Sequence, residues 1–198
     1  MSAVAIINYD AGNTTSVLNA LQRLGVNAIL TDRREEILSA EKVIFPGVGN
    51  ASAAMQILNE KKLISVIKEL KQPVLGICLG MQLLCDHSEE NDTEGLGIIN
   101  FKVKKMQSPD KQFKIPQVGW NTIYDLEGPL FDGIDQNSFV YFVHSYFVES
   151  GIETIATTNY ILPFSAAIRK DNFYGVQFHA EKSAEIGEKI ISNFLSLK

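Results

Sequence analysis

The sequence predicts an α/β fold: a mostly parallel central sheet with helices on both faces, followed by a second half rich in antiparallel strands. Three observations point there. Short apolar runs alternate with helical patterns through the first part of the chain, turn residues replace the helical period after Leu96, and an amphipathic helix closes the chain. One domain spanning 1–198 is expected, because this length suits a single well-formed core.

Ala3 to Asn8 reads as a buried first strand. After Asp10-Ala11-Gly12-Asn13, a helix sets Val17, Leu18, Leu21 and Leu24 on one face and ends at Gly25. Ala28-Ile29-Leu30 and Lys42-Val43-Ile44-Phe45 are the next strands, the latter stopped by Pro46-Gly47-Val48-Gly49. One helix is expected from about Ala51 to Leu70, and Pro73 introduces a fourth strand, Val74 to Ile77. Strand-like runs then dominate, including Phe139 to Val148, Thr154 to Thr158 and Phe173 to Phe178, with turns at Glu127-Gly128-Pro129 and Asp171-Asn172. The last helix starts near Ser183 and turns Ile186, Ile190, Ile191, Phe194 and Leu195 inward.

Hydrophobic residues make up 45% and charged residues 21%, the balance of a water-soluble globular protein. A net charge of -5 without a basic stripe speaks against nucleic-acid binding. No apolar run approaches the length of a membrane span, and the N-terminal apolar run lacks a basic flank, so it reads as a strand. Two cysteines make neither a disulfide framework nor a zinc site. No metal and no cofactor are expected, and a reducing cytoplasm is the expected compartment.

Gly76-Ile77-Cys78-Leu79-Gly80 follows a strand with the pattern of a nucleophile elbow, cysteine taking the serine position. Small residues two before and two after let a tight strand-to-helix turn lift the thiol above the sheet. Helical N–H groups beyond the turn favour thiolate, and the Leu79 N–H can face an oxyanion. A buried structural cysteine at a strand end is the alternative. Cys85 lies two helical turns on and reads as a core residue.

Three histidines could supply a base. His87 sits in a polar segment and reads as solvated; His144, inside Tyr141-Phe142-Val143-His144-Ser145-Tyr146, reads as a satisfied, partly buried ring. His179 ends a strand-like run, and at strand periodicity Glu181 would share its side, accepting from one ring nitrogen and leaving the other for a nucleophile. A strand-end histidine beside a solvent-facing glutamate is the alternative. Gly47 and Gly49 flank Val48 with backbone freedom that suits either an N–H turned toward a ligand or an ordinary turn.

Together with Gln82-Leu83-Leu84, Pro116, Gly119-Trp120-Asn121 and Gln177-Phe178-His179, these segments resemble the class I (triad) glutamine amidotransferases over the whole chain. Within that family the chain is similar to the branch whose glutaminase serves histidine biosynthesis. The resemblance implies a catalytic triad of Cys78, His179 and Glu181, with oxyanion donors at the N–H groups of Leu79 and of Val48, the latter after a peptide reorientation. It implies substrate contacts at Gln82, Glu90, Ser145 and Tyr146. It also implies a heterodimer with a (β/α)₈-barrel cyclase that meets Asn13, Trp120, Tyr141 and Lys182.

Three positions depart from the family pattern. Ala180 stands where proline is usual between the histidine and the glutamate, and Gln117 and Val118 stand where histidine and methionine are commoner. Three other readings remain open on the residues. They are a paralogous glutaminase serving a surface-polysaccharide sugar, a non-catalytic binding module on the same scaffold, and a cysteine hydrolase of another substrate.

Overall fold

A computed structural model describes residues 4–10, 13–109 and 113–198; Ala3, Ala11 and Gly12, included in the segments read above, lie outside them. The first half runs β1 Val4–Ile7, α1 Thr14–Arg23, β2 Ala28–Thr31, α2 Arg34–Ser39, β3 Lys42–Phe45, α3 Ala51–Glu60, α4 Leu63–Glu69, β4 Val74–Ile77 and α5 Leu79–Leu84. The helix expected from Ala51 to Leu70 is two helices. Lys62 takes a left-handed conformation, φ 56°, so the chain bends between them and each helix lays its own apolar side on the sheet. The six-residue α2, with Ile37 its buried residue, is too short to show a helical period in the sequence.

The second half adds β5 Cys85–Ser88, β6 Thr93–Glu94, β7 Ile99–Lys105, β8 Gln117–Ile123, β9 Ser138–His144, β10 Tyr146–Val148, β11 Thr154–Tyr160, β12 Leu162–Lys170, β13 Phe173–Val176 and the helix α6 Ala184–Ser196. The run Phe139 to Val148 is thus two strands that part at Ser145 and join different sheets.

Seven strands form the main sheet in the order β11-β12-β13-β4-β3-β1-β2. From β13 to β2 the pairing is parallel, while β12 and β11 are antiparallel additions. A four-stranded sheet, β10-β7-β5-β6, and the β8-β9 pair flank it. Alternation along β1 explains the layers. Val4 and Ile6 join a core with Val17 and Leu21 of α1 and Ile190 and Phe194 of α6, whereas Ala5 and Ile7 join one with Ile37, Leu58 and Val66 of α2, α3 and α4. Among the described residues no helix is long and apolar enough to cross a membrane.

Candidate active site

Cys78 stands between β4 and α5 with φ 53° and ψ -109°, a positive φ that costs a non-glycine residue roughly 1–3 kcal/mol. The tight turn has room to form because the residues two before and two after Cys78 carry no side chains. A Cβ on Gly76 would meet the Gly80 carbonyl carbon at 2.8 Å, and one on Gly47 would meet the Gly80 nitrogen at 2.5 Å. The elbow and the end of β3 are therefore packed backbone on backbone.

Parallel pairing brings the remaining groups to the same edge. Phe45 pairs with Gly76 and Val176 with Ile77, so the segments after β3, β4 and β13 leave the sheet side by side. His179, three residues beyond Val176, lines the same cavity as Cys78 and places Nδ1 2.8 Å from Glu181 Oε1. With Nδ1 taken by the carboxylate, Nε2 is the nitrogen left for the sulfur.

The route to this pairing differs from the expected strand alternation. β13 ends at Val176, and Ala180–Lys182 form a 3₁₀ turn held by Lys182 N–H and Ser183 Oγ, both donating to the His179 carbonyl. His179 and Glu181 meet across that turn, both buried. Glu181 Oε2 is buried without a hydrogen-bond partner among the described residues, so the imidazole is what compensates this carboxylate. Burial pulls the His179 pKa down, but the neighbouring Cys78 and Glu181 outweigh it and hold it up at about 10.

Above the sulfur opens a cavity of about 330 Å³. Val48, Leu79, Gln82, Glu90, Ser145 and Tyr146 line it, as do Cys78, His179 and Lys182. Glu90 also accepts from Ala51 N–H at 2.7 Å, fixing the start of α3. The carbonyl of Ser145 accepts from Met106 N–H and that of Tyr146 from the Gln82 amide.

Asn13, Trp120 and Tyr141 lie away from the cavity. Asn13 caps α1, accepting from Ser16 N–H at 3.4 Å. Trp120 is 52% exposed and meets the Tyr141 ring edge-on at 5.8 Å between centroids. Val118 and Phe139, 60% and 58% exposed, lie on the same strand pair. Neither had stood out as a surface residue in the sequence, although both share the i, i+2 alternation of Trp120 and Tyr141.

His144 is more enclosed than expected. Its Nδ1 lies 2.7 Å from the Tyr146 carbonyl and its Nε2 3.0 Å from Gln117 Oε1. A carbonyl only accepts, so the proton sits on Nδ1, and Nε2 is satisfied by the NH₂ end of the Gln117 amide after a half-turn. Burial lowers the His144 pKa to about 4, against the pull of the Tyr146 carbonyl and aided by charge on His179. Tyr9, missed in the sequence, donates from its hydroxyl to the Pro46 carbonyl at 2.7 Å and so anchors the start of the Pro46–Gly49 segment. His87 belongs to β5 and pairs with Asp92 at 2.8 Å. Cys85 is fully buried as expected, but it opens β5, since α5 stops after six residues.

Comparison with known proteins places the chain in a family. The family model for glutamine amidotransferase class-I matches residues 5–197. The chain is 55% identical to the imidazole glycerol phosphate synthase subunit HisH of Bacteroides fragilis (strain YCH46), over 98% of this chain and 99% of that one. It is 51% identical to the protein of the same name from Bacteroides thetaiotaomicron, with the same coverage. A crystal structure of a glutamine amidotransferase shares the fold at a TM-score of 0.72 and 16% identity, covering 98% of this chain and 97% of that one. The chain belongs to the class-I glutamine amidotransferase family.

Proposed function

We propose that this chain is the glutaminase subunit of imidazole glycerol phosphate synthase, hydrolysing L-glutamine to L-glutamate and ammonia for a (β/α)₈-barrel cyclase in histidine biosynthesis. The observation that carries the chemistry is Cys78 and His179 at the floor of one cavity, with the buried Glu181 on the far nitrogen of the ring. The relatives' name selects this pathway over the surface-polysaccharide reading.

In the proposed mechanism the Cys78 thiolate attacks the side-chain carbonyl carbon of glutamine. The oxyanion is held by the N–H groups of Leu79 and Val48, each such donor being worth about 3–4 kcal/mol. His179 gives its proton to the departing ammonia as the C–N bond breaks, leaving a glutamyl thioester. Water then attacks, His179 takes its proton, and the C–S bond breaks to release glutamate. Glu181 holds the ring and stabilises its charged form. Gln82, Glu90 and the Ser145–Tyr146 backbone hold the amino-acid end of the substrate.

The partner reading draws support from the exposed apolar strip of Val118, Trp120 and Phe139 on β8 and β9, beside the exposed Lys182 at the cavity rim. A heterodimer docked there would keep ammonia from protonation in bulk water. The cyclase would then add it to a phosphoribulosyl formimino carboxamide ribonucleotide, giving imidazole glycerol phosphate and an aminoimidazole carboxamide ribotide.

The test is glutamate release by the chain with and without the cyclase, together with labelling by a glutamine-analogue electrophile. Stoichiometric label on Cys78 and loss of turnover in Cys78→Ala are expected. Label on Cys85, or full turnover in Cys78→Ala, would overturn the assignment.

A further inference from the structure

Gln177 is wholly buried just beyond the end of β13, between the nucleophile and Gln82. Its Nε2 lies 3.7 Å from Cys78 Sγ, and its Oε1 lies 2.9 Å from Gln82 Nε2. Gln82 Nε2 in turn donates to the Tyr146 carbonyl at 3.0 Å.

We propose that Gln177 is a positioning residue, donating a hydrogen bond to the Cys78 sulfur while holding Gln82, in a chain of amides whose direction is set by the Tyr146 carbonyl. The direction follows from donor and acceptor capacity. A backbone carbonyl cannot donate, so Gln82 turns its NH₂ group toward Tyr146. The second hydrogen of that group goes to Gln177 Oε1, which leaves Gln177 only its own NH₂ to present to the sulfur. Reversing either amide would set two acceptors or two donors face to face in a buried site.

Two consequences follow. The Val143 carbonyl, 3.7 Å from Sγ, can accept from a thiol but offers nothing to a thiolate. The Gln177 N–H does the opposite, so the pair favours opposite protonation states of the sulfur and Gln177 favours the nucleophilic one. Gln82, with both hydrogens committed, shows the cavity only its oxygen, and so selects a substrate group that donates an N–H. The catalytic importance of this arrangement rests on Cys78 being the nucleophile; the hydrogen bond itself does not.

The experiment is alkylation of the full chain by iodoacetamide across pH, followed by mass analysis of the Cys78 peptide, which requires no glutamine turnover. Gln177→Met fills the space without a donor. It should raise the pH midpoint of Cys78 alkylation by about one unit, the scale of a hydrogen bond to a charged group. Gln177→Glu keeps an oxygen for Gln82 but faces the sulfur with charge, and should raise the midpoint further. In Gln177→Met the KM for glutamine should also rise several-fold as Gln82 loses an anchor. Should both variants misfold, the wild-type side-chain amide resonance of Gln177 still decides, since it should titrate with Cys78. A folded Gln177→Met with an unmoved midpoint, or a Gln177 resonance indifferent to Cys78 ionisation, overturns the proposal. A failed glutaminase assignment would show separately, as turnover surviving in Cys78→Ala.

Discussion

A Cβ added to Gly80 would lie 1.9 Å from the carbonyl oxygen of Phe45, closer than any real contact between such atoms. The first turn of α5 can therefore sit against the end of β3 only if residue 80 has no side chain. Gly80→Ala should push the elbow away from the Pro46–Gly49 segment. Overpacking of this kind costs about 1–3 kcal/mol, and a displacement near 1 Å at reacting atoms costs roughly a hundredfold in rate. Urea melts and glutamate release should record both losses; an alanine variant with full activity would contradict the packing argument.

The His179–Glu181 pair predicts an asymmetric response to pH. His179, held at about 10 by Cys78 and Glu181 against the opposing effect of burial, keeps its proton well into the alkaline range. Glu181→Gln removes one of the two groups holding it, so the alkaline limb of the kcat/KM profile should move to lower pH. His179→Ala should nearly abolish turnover, because both proton transfers pass through that ring, and Glu181→Gln should cost less. An alkaline limb that stays in place in Glu181→Gln would remove the carboxylate from this role.

Ala180→Pro should leave activity equal or higher. Ala180 opens the 3₁₀ turn, where an N–H has no partner within the turn, and its N–H takes part in no hydrogen bond of the described structure. Proline there would remove no bond and would narrow the unfolded ensemble, worth about 0.4–1 kcal/mol. Thermal melts and turnover check both halves; strong impairment would show that residue 180 needs a backbone angle proline cannot adopt.

Gly49 has φ +103° in open surroundings, so a side chain there is opposed by backbone conformation and not by crowding. Gly49→Val should restrict reorientation of the peptide groups around Val48. The isolated chain is expected to be a poor glutaminase, stimulated when the cyclase and its nucleotide bind, and Gly49→Val should reduce that stimulation more than it weakens glutamine binding. One missing oxyanion donor sets the scale, about 10²–10³ in rate. An isolated chain that turns over at the stimulated rate without the cyclase would end this idea.

His144 predicts an acid-labile fold. Its pKa drops from 6.5 to about 4 on folding, chiefly through burial. Between those values the unfolded chain binds a proton that the folded chain refuses, so stability rises with pH across the window and is lost as pH falls from 6.5 toward 4. The full effect is roughly 3 kcal/mol. Denaturant unfolding at pH 7 and pH 4.5 should reveal it, and His144→Asn, less stable at neutral pH, should lack that part of the slope.

The local features of this protein were legible in its sequence. Gly76-Ile77-Cys78-Leu79-Gly80 announces a tight turn with a raised thiol because part of its sterics, the approach of Gly76 to Gly80, acts within the motif itself. The apolar runs from Val4, Ala28, Lys42 and Val74 became strands β1 to β4, and two-sided burial demands such residues at every position of β1 and β4, less so of β2 at the sheet edge. Gln177 directly precedes Phe178, a core residue, and His179, and that adjacency in Gln177-Phe178-His179 could have drawn attention to it beforehand.

What tertiary structure decided concerns groups far apart in sequence. Only the insertion of β13 beside β4 brings His179 to Cys78, and only the 3₁₀ turn after it joins Glu181 to the ring. No period in the chain marks Lys62 as the residue that breaks a long helix, because the preference for the bend comes from where α3 and α4 must each meet the sheet. Gln82, Gln117 and Gln177 carry amides that can donate or accept, and a residue letter does not say which. Their roles are assigned by whichever fixed acceptor the fold sets beside them, here the carbonyl of Tyr146.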